Sequence, residues 1–183
     1  LLLDFRVGAV GGSTVPAGNA YSSALFYVLT YVLTTLGTFG LILYMSREGF
    51  ECEHIADLAG LFRRAPWLAG LMGLFMFSLA GVPPLVGFYA KLSVIQALVT
   101  TGQTGPLILA VIAVLMSLVG AFYYLRVVKV MCFDEPTDAS VPQQSTGIGW
   151  VLSLNGLAVL GLGVLPGGLM ALCRDAIVKA LAS

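Results

Sequence analysis

Between Ala65 and Leu125 the sequence runs for sixty-one residues with a single charged side chain, Lys91. A membrane-spanning helix needs about 20 consecutive apolar residues to cross a hydrocarbon core of about 30 Å. The whole chain shares this bias: of 183 residues, 58% are hydrophobic and 10% are charged, whereas soluble domains carry roughly 25% charged residues. The composition excludes a disordered chain, a basic nucleic-acid-binding protein and almost any soluble enzyme. It predicts an all-α, polytopic membrane protein.

Four apolar blocks predict about four transmembrane helices, and no segment shows a strand-like alternation of polar and apolar residues. Residues 1–19 are interpreted as the end of a preceding helix and a loop, because the chain begins abruptly with Leu1-Leu2-Leu3-Asp4 and lacks a signal-peptide pattern. Residues 20–183 are interpreted as the C-terminal part of a membrane domain. The predicted helices cover approximately residues 22–45, 66–101, 106–133 and 148–165, with Pro166-Gly167-Gly168 ending the last one before a short amphipathic C-terminus.

The second block is too long for one straight crossing, because thirty-six residues at 1.5 Å each would extend for about 54 Å. Gly81-Val82-Pro83-Pro84 interrupts it. Each of these prolines lacks an amide donor and clashes with the preceding turn, so a continuous helix cannot pass through this point. The block therefore forms either one crossing made of two half-helices or two short helices in a hairpin.

The distribution of basic residues does not decide between these two geometries. The positive-inside rule compares the lysines and arginines on the two membrane sides, and both geometries give five against three when Lys91 is left out. The broken crossing is favoured because the segment from Gly81 to Phe88 contains no polar side chain suited to a membrane surface. It would place the Arg63-Arg64 connection in the cytoplasm and both chain ends outside.

Lys91 lies directly after the helix break. A charge in the bilayer interior costs about 2.5–3.5 kcal/mol on insertion scales, and such residues usually face a protein interior or a water-filled cavity. Apolar surroundings disfavour the ammonium form, which brings a lysine into the range where it loads and releases a proton. Broken helices are tolerated at membrane depth where they line a cavity. The combination predicts an ion or proton pathway; the alternative is that Lys91 snorkels to a nearby interface.

The candidate site residues surround this break, with Lys91 as the proton-transfer group. Gly81, Pro83, Pro84 and Gly87 are predicted to line the path, and the possible water-holding or proton-path residues are Ser78, Tyr89, Gln96, Ser117 and Tyr123. No metal or cofactor site is expected. The three cysteines, Cys52, Cys132 and Cys173, lie far apart, and His54 has no second His or Cys at ligand spacing.

Two motifs resemble segments of a known family. The run from Phe75 to Lys91 resembles the SLAGxPPxxGFxxK segment of the antiporter-like subunits of proton-pumping NADH:quinone oxidoreductase, or respiratory complex I. The run from Gly120 to Val128, with its Tyr-Tyr-Leu-Arg sequence, resembles the subunit N branch, the bacterial counterpart of mitochondrial subunit 2. The connection from Ile55 to Pro66 also fits.

The resemblance implies a fold of fourteen core helices with inverted repeats and two broken helices. This chain would supply the last four helices and a remnant of the preceding one, with the broken crossing rather than the hairpin. Lys91 falls on the family's distal lysine, which is thought to pass protons toward the periplasm. The remaining pathway residues would lie upstream, so this segment alone is expected to pump nothing.

The implied function is that of a proton-translocating subunit in a bacterial inner membrane, which couples NADH oxidation and quinone reduction to proton pumping. Its partners would be other complex I subunits and lipid. NADH, FMN, iron–sulfur clusters and quinone would be bound in or near other subunits, so this chain would carry no redox chemistry. The alternatives are a Mrp-type sodium/proton antiporter subunit and a structural membrane component in which Lys91 is an anchor. Subunit N is favoured because residues 25–40 carry no charge, whereas subunits L and M and Mrp proteins tend to carry His and Lys there.

Overall fold

A computed structural model describes residues 14–46, 52, 54–136 and 146–182. Over these ranges all regular structure is helical, which confirms the predicted all-α class. A single 3₁₀ turn, Ile55–Leu58, follows the first helix. The α-helices are α1 (Thr14–Met45), α2 (Leu61–Arg64), α3 (Pro66–Ala80), α4 (Val86–Val99), α5 (Thr104–Phe133), α6 (Thr146–Val164) and α7 (Pro166–Ala182).

Three of these helices are long and apolar enough to cross a membrane. They are α1 from Ala20 to Met45, α5 over its full length, and α6 from Gly147 to Val164. The two shorter apolar helices, α3 and α4, are the halves of the predicted broken helix, and the break lies between Ala80 and Val86. The chain is therefore a multi-pass membrane protein with one interrupted helix.

Two boundaries differ from the sequence prediction, and proline chemistry accounts for both. Helix α1 begins at Thr14 rather than near residue 22, with Pro16 in its first turn. Pro166 begins α7 instead of ending α6, which finishes at Val164. A proline in the first helical turn sacrifices no hydrogen bond, because that amide has no partner within the helix. Residues 1–13, for which the sequence suggested a helix end, lie outside the described part of the chain.

The half-helices α3 and α4 follow one another along a single crossing. Gly60, just before α2, donates its amide to the Val130 carbonyl at 3.4 Å, and it lies against Pro136 just beyond α5. The start of α3 is therefore beside the end of α5. Helix α5 is about 45 Å long at 1.5 Å per residue, and four residues separate it from the end of α4. A hairpin would have returned α4 to the end at which α3 begins, so the structure excludes it.

Helices α1 and α5 flank the broken helix, and α6 packs against both of its halves. Phe75 of α3 is fully buried at the centre of this arrangement. Its ring fills the space at Gly37 of α1, and Gly156 of α6 lies within van der Waals distance of the same ring. Small residues on two neighbouring helices thus admit one large aromatic side chain, which fixes the position of α3.

Candidate functional site

The end of α3 is closed by a left-handed glycine. Gly81 has a φ of 88°, which costs a residue without a Cβ nothing. Its amide donates to the Ser78 carbonyl at 3.1 Å, and the Val82 amide donates to the Phe77 carbonyl at 3.0 Å. This is a Schellman motif, and it satisfies two of the four carbonyls that the end of any helix leaves unpaired.

Lys91 satisfies the remaining two carbonyls. Its Nζ donates to the carbonyl of Leu79 at 2.8 Å and to that of Ala80 at 3.1 Å. A third donation reaches the Oγ of Ser117 on α5, also at 2.8 Å. An ammonium group has three N–H donors, so all three are used. No carboxylate takes part, and the positive charge is held by two backbone carbonyls and one hydroxyl.

Ser78 forms the reciprocal link from α3 to α4. Its fully buried hydroxyl accepts the amide of Gly87 at 3.3 Å, in the first turn of α4. A Cβ at Gly87 would lie 2.7 Å from the Ser78 carbonyl carbon, closer than van der Waals contact allows. Each half-helix therefore supplies a side chain that satisfies the open end of the other, and glycine is required where their backbones meet.

A cavity of about 380 Å³ lies beside the Lys91 amine between α1, α4 and α5. Among its described wall residues Lys91 is the only charged one. Two of its wall residues, Tyr31 of α1 and Met116 of α5, are exposed. Its polar wall residues are Tyr27, Thr30, Tyr31, Thr34, Ser78, Lys91, Ser117 and Tyr124.

The threonines of this wall are already paired within α1. The Thr30 hydroxyl donates to the Phe26 carbonyl at 2.9 Å, and the Thr34 hydroxyl donates to the Thr30 carbonyl at 2.8 Å. Such bonds to the preceding turn are the usual solution for hydroxyls inside apolar helices. The side chain that reaches Lys91 is therefore Ser117, on the opposite wall.

The structure brings together some of the predicted site residues and separates others. Ser78 and Gly87 line the Lys91 cavity, and a Cβ at Gly81 would lie 3.4 Å from the Lys91 Nζ. Pro83 and Pro84 line a different cavity, of about 480 Å³, on the apolar side of the break.

Three other predicted residues lie outside the Lys91 cavity wall. The Tyr89 ring packs edge-on against Phe88, and Tyr123 is 57% exposed with its ring against Phe122. Gln96 lines a second cavity of about 380 Å³ at the end of α4, together with Ser93 and Arg174.

Tyr124, rather than the predicted Tyr123, is the α5 tyrosine that lines the cavity. A helical periodicity carries the signal: Ser117, Gly120 and Tyr124 are spaced at i, i+3 and i+7 and share one face of α5. The same spacing places Tyr27, Thr30, Tyr31 and Thr34 on one face of α1.

No metal site is present among the described residues, where no three His, Cys, Asp or Glu side chains come together. Cys52 lies in the connection before the 3₁₀ turn. Burial raises the pKa of its thiol, the Asp57 carboxylate raises it further, and Arg64 opposes them. Because the thiolate is the form that binds metals and reacts, these shifts disfavour both metal binding and reaction at Cys52.

Residues 8–120 match the family model described as NADH:quinone oxidoreductase/Mrp antiporter, transmembrane. The match covers more than half of the chain and includes α1, the broken helix and most of α5. The chain therefore belongs to the membrane family shared by NADH:quinone oxidoreductases and Mrp antiporters, as the sequence motifs indicated.

The similar full-length proteins point to one branch of that family. NADH-quinone oxidoreductase subunit N of Herminiimonas arsenicoxydans is 56% identical over 183 residues, and that of Polaromonas naphthalenivorans is 54% identical over 179 residues. These alignments cover 100% and 97% of this chain but 36% of each relative. The chain thus spans little more than a third of the length of these curated relatives, and its resemblance to subunit N is confirmed.

A solved structure shares the fold. Respiratory complex I from Thermus thermophilus, with bound aureothin, contains a chain that matches with a TM-score of 0.68 and 30% sequence identity. The match covers 85% of this chain and 36% of that chain. The helical arrangement described above therefore matches part of one chain of that complex.

Proposed function

We propose that this chain is part of a proton-translocating membrane subunit of NADH:quinone oxidoreductase, and that Lys91 is an intramembrane proton carrier. The subunit lies in the inner membrane of a bacterium and assembles with the other membrane and peripheral subunits of the complex. NADH oxidation and quinone reduction occur in or near other subunits, which hold the flavin and the iron–sulfur clusters. The contribution of this chain is the movement of protons.

The observation that carries this proposal is the environment of the Lys91 amine. A lysine that only snorkelled would extend to the membrane surface, whereas Lys91 donates to Leu79, Ala80 and Ser117 at the helix break. No carboxylate in the described part of the chain pairs with it, so its charge is not locked in an ion pair. The adjoining cavity of about 380 Å³ has room for several water molecules, which accept and return the proton.

The similar proteins support the oxidoreductase over the antiporter. The subunit N relatives from Herminiimonas and Polaromonas align with 100% and 97% of this chain, and they are 56% and 54% identical to it over those alignments. In addition, the cavity wall contributed by α1 is made of tyrosine and threonine without charge. A Mrp-type antiporter subunit remains the alternative, and it would exchange sodium for protons without NADH.

Substitution of Lys91 in the full-length subunit, assembled in its complex, tests the proposal. Lys91→Met removes the charge, and Lys91→Arg keeps the charge but provides a group that does not release its proton in proteins. Both variants should lose NADH-driven proton pumping, measured with a pH-sensitive dye in inverted membrane vesicles. The matched control is Lys129→Met, because Lys129 is exposed and paired with Asp134; it should pump like the parent.

Each alternative predicts a different result. If Lys91→Arg pumps at the parental rate, a positive charge is sufficient, and Lys91 is an anchor rather than a proton carrier. If a sodium gradient drives proton movement in the absence of NADH, the antiporter assignment is correct. The amount of assembled complex, measured on native gels, separates loss of pumping from loss of assembly.

A further inference from the structure

We infer that Ser117 reverses its hydrogen bond with Lys91 during proton transfer, accepting from the ammonium and donating to the neutral amine. This inference rests on the proposed role of Lys91 as a proton carrier. It assigns a positioning residue on α5, a helix that otherwise presents mostly exposed apolar side chains.

The three acceptors around Lys91 differ in what they can do. The carbonyls of Leu79 and Ala80 only accept hydrogen bonds, whereas the Ser117 hydroxyl both accepts and donates. In the described structure Ser117 is the only side chain that hydrogen-bonds Lys91. It is therefore the one partner whose role can change with the charge of the amine.

Deprotonation changes what the amine requires. One N–H bond of Lys91 breaks, its electron pair stays on nitrogen, and the proton forms an O–H bond with a cavity water. The resulting amine has two N–H donors and one lone pair. The two carbonyls of α3 keep the donors, and the lone pair faces the position of Ser117, which donates after its hydroxyl hydrogen rotates.

No other described side chain of the cavity wall hydrogen-bonds Lys91. The titratable side chains that line the cavity are Tyr27 and Tyr31 of α1 and Tyr124 of α5, with none from α3. None of the three is hydrogen-bonded to Lys91. The cavity threonines Thr30 and Thr34 donate to carbonyls of their own helix.

Substitutions of Ser117 in the full-length subunit, assembled in its complex, test the inference. Ser117→Ala removes the hydroxyl and should lower NADH-driven proton pumping about tenfold, the loss expected for one hydrogen bond to a charged group. Ser117→Thr keeps the hydroxyl and should restore pumping to within about twofold. The matched control is Ser93→Ala, because Ser93 is buried on α4 but donates to the Ala90 carbonyl; it should pump like the parent.

Ser117→Asp separates a reversing partner from one that only holds the ammonium. A carboxylate accepts but does not donate, and an opposite charge nearby favours the ammonium. Pumping by Ser117→Asp should therefore fall at neutral pH and recover toward alkaline pH, with a profile displaced by about one pH unit or more. Full activity of Ser117→Asp at neutral pH would show that no reversal is needed.

The failure of this inference is distinguishable from the failure of the proposed function. If Lys91→Met stops pumping while Ser117→Ala pumps at the parental rate, Lys91 carries protons without help from Ser117. If Lys91→Met itself pumps normally, the proton-carrier role of Lys91 is wrong. Native gels and the NADH oxidation rate of the same membranes show that each variant is assembled.

Discussion

Two glycines allow close backbone contacts at the helix break, where there is no room for a side chain at either position. Gly87 of α4 lies against the backbone of Ser78. A Cβ added at Gly163 of α6 would lie 2.7 Å from the amide nitrogen of Val86. The close contact at Gly163 fixes α6 against the segment that joins the two half-helices. Backbone atoms form both contacts, so a rotamer change cannot relieve them.

Alanine at either glycine should therefore destabilise the subunit. Gly87→Ala and Gly163→Ala are each expected to cost about 1–3 kcal/mol, as overpacking usually does. The expected result is a lower melting temperature of the detergent-purified complex for both variants. The matched control is Gly70→Ala in α3, because a Cβ there meets nothing within 4 Å. If Gly87→Ala melts at the same temperature as Gly70→Ala, the close backbone contact described here is incorrect.

At the scale of single residues, the sequence identifies Lys91 and includes Ser117 among several candidate neighbours, but it does not single out the residue that contacts the amine. Lys91 is conspicuous because it is the one charge in a long apolar stretch. Ser117 is 26 residues away on another helix. Which hydroxyl reaches the amine depends on how α5 is rotated about its axis. Serines in apolar helices commonly bond to their own backbone, so the residue type alone does not single out Ser117.

At the scale of secondary-structure elements, Arg64 joins the 3₁₀ turn to α2 in the segment before α3. The Arg64 Nη2 donates to the carbonyls of Asp57 and Ala59, both at 3.1 Å. These bonds tie the 3₁₀ turn to α2. Leu58 and Leu61 are buried beneath them, and the turn packs against α5. Residues 54–64 thus form an ordered cap over one end of the bundle.

Loss of the Arg64 side chain should open this cap. Arg64→Ala is expected to destabilise residues 54–64 by about 1.5–3 kcal/mol, because two hydrogen bonds to a charged group are lost. Hydrogen exchange of the full-length subunit in nanodiscs should show faster exchange in this segment. Arg63→Ala is the matched control, since Arg63 is adjacent and exposed, and surface substitutions usually change stability by less than about 0.5 kcal/mol. Equal exchange in the two variants would contradict the role of Arg64.

The helix break was predictable from the sequence, whereas α7 was not. Two consecutive prolines after a glycine interrupt a helix in any surroundings, because the missing amides and the ring clash are local. Pro166-Gly167-Gly168 looks equally disruptive, yet it forms the first turn of a helix. The difference is position: a proline is compatible with the first turn and incompatible with the interior. Sequence alone does not state which of the two applies.

For the molecule as a whole, the single crossing of α3 and α4 fixes which loops share a membrane side. The connection at His54 and the loop at Gln103 lie at opposite ends of α5, whereas a hairpin would place them at the same end. Both residues are exposed, so both positions accept a label.

Cysteine labelling should place these two positions on opposite sides of the membrane. In full-length protein with Cys52, Cys132 and Cys173 replaced by serine, we expect His54→Cys and Gln103→Cys to react with a membrane-impermeant maleimide from opposite sides. Right-side-out and inverted vesicles provide the two accessible faces. Reaction of both variants in the same vesicle orientation would contradict the single crossing.

Hydropathy predicts the class of the whole molecule, but it does not predict the packing of its helices. The scarcity of charge is sufficient to place the chain in a membrane. Helix α5 is apolar on nearly all sides, so its hydropathy alone does not indicate which face meets α3 and α4. In a bilayer, the fit of small residues determines such contacts, as at Gly37 and Gly156 around Phe75.

The amine of Lys91, a residue of α4, lies at the C-terminal end of α3. The separation of the two half-helices therefore bears on how strongly the ammonium form is stabilised. A helix carries about half a negative elementary charge at its C-terminus, and this effect is limited to the last turn. The Lys91 Nζ lies within that turn, bonded to Leu79 and Ala80. A small movement of α4 away from α3 would lengthen both bonds and remove the ammonium from the dipole's field. Under the proposed proton-carrier role, the spacing of the two half-helices would therefore set how strongly α3 stabilises the ammonium, without any change in the surrounding charged side chains.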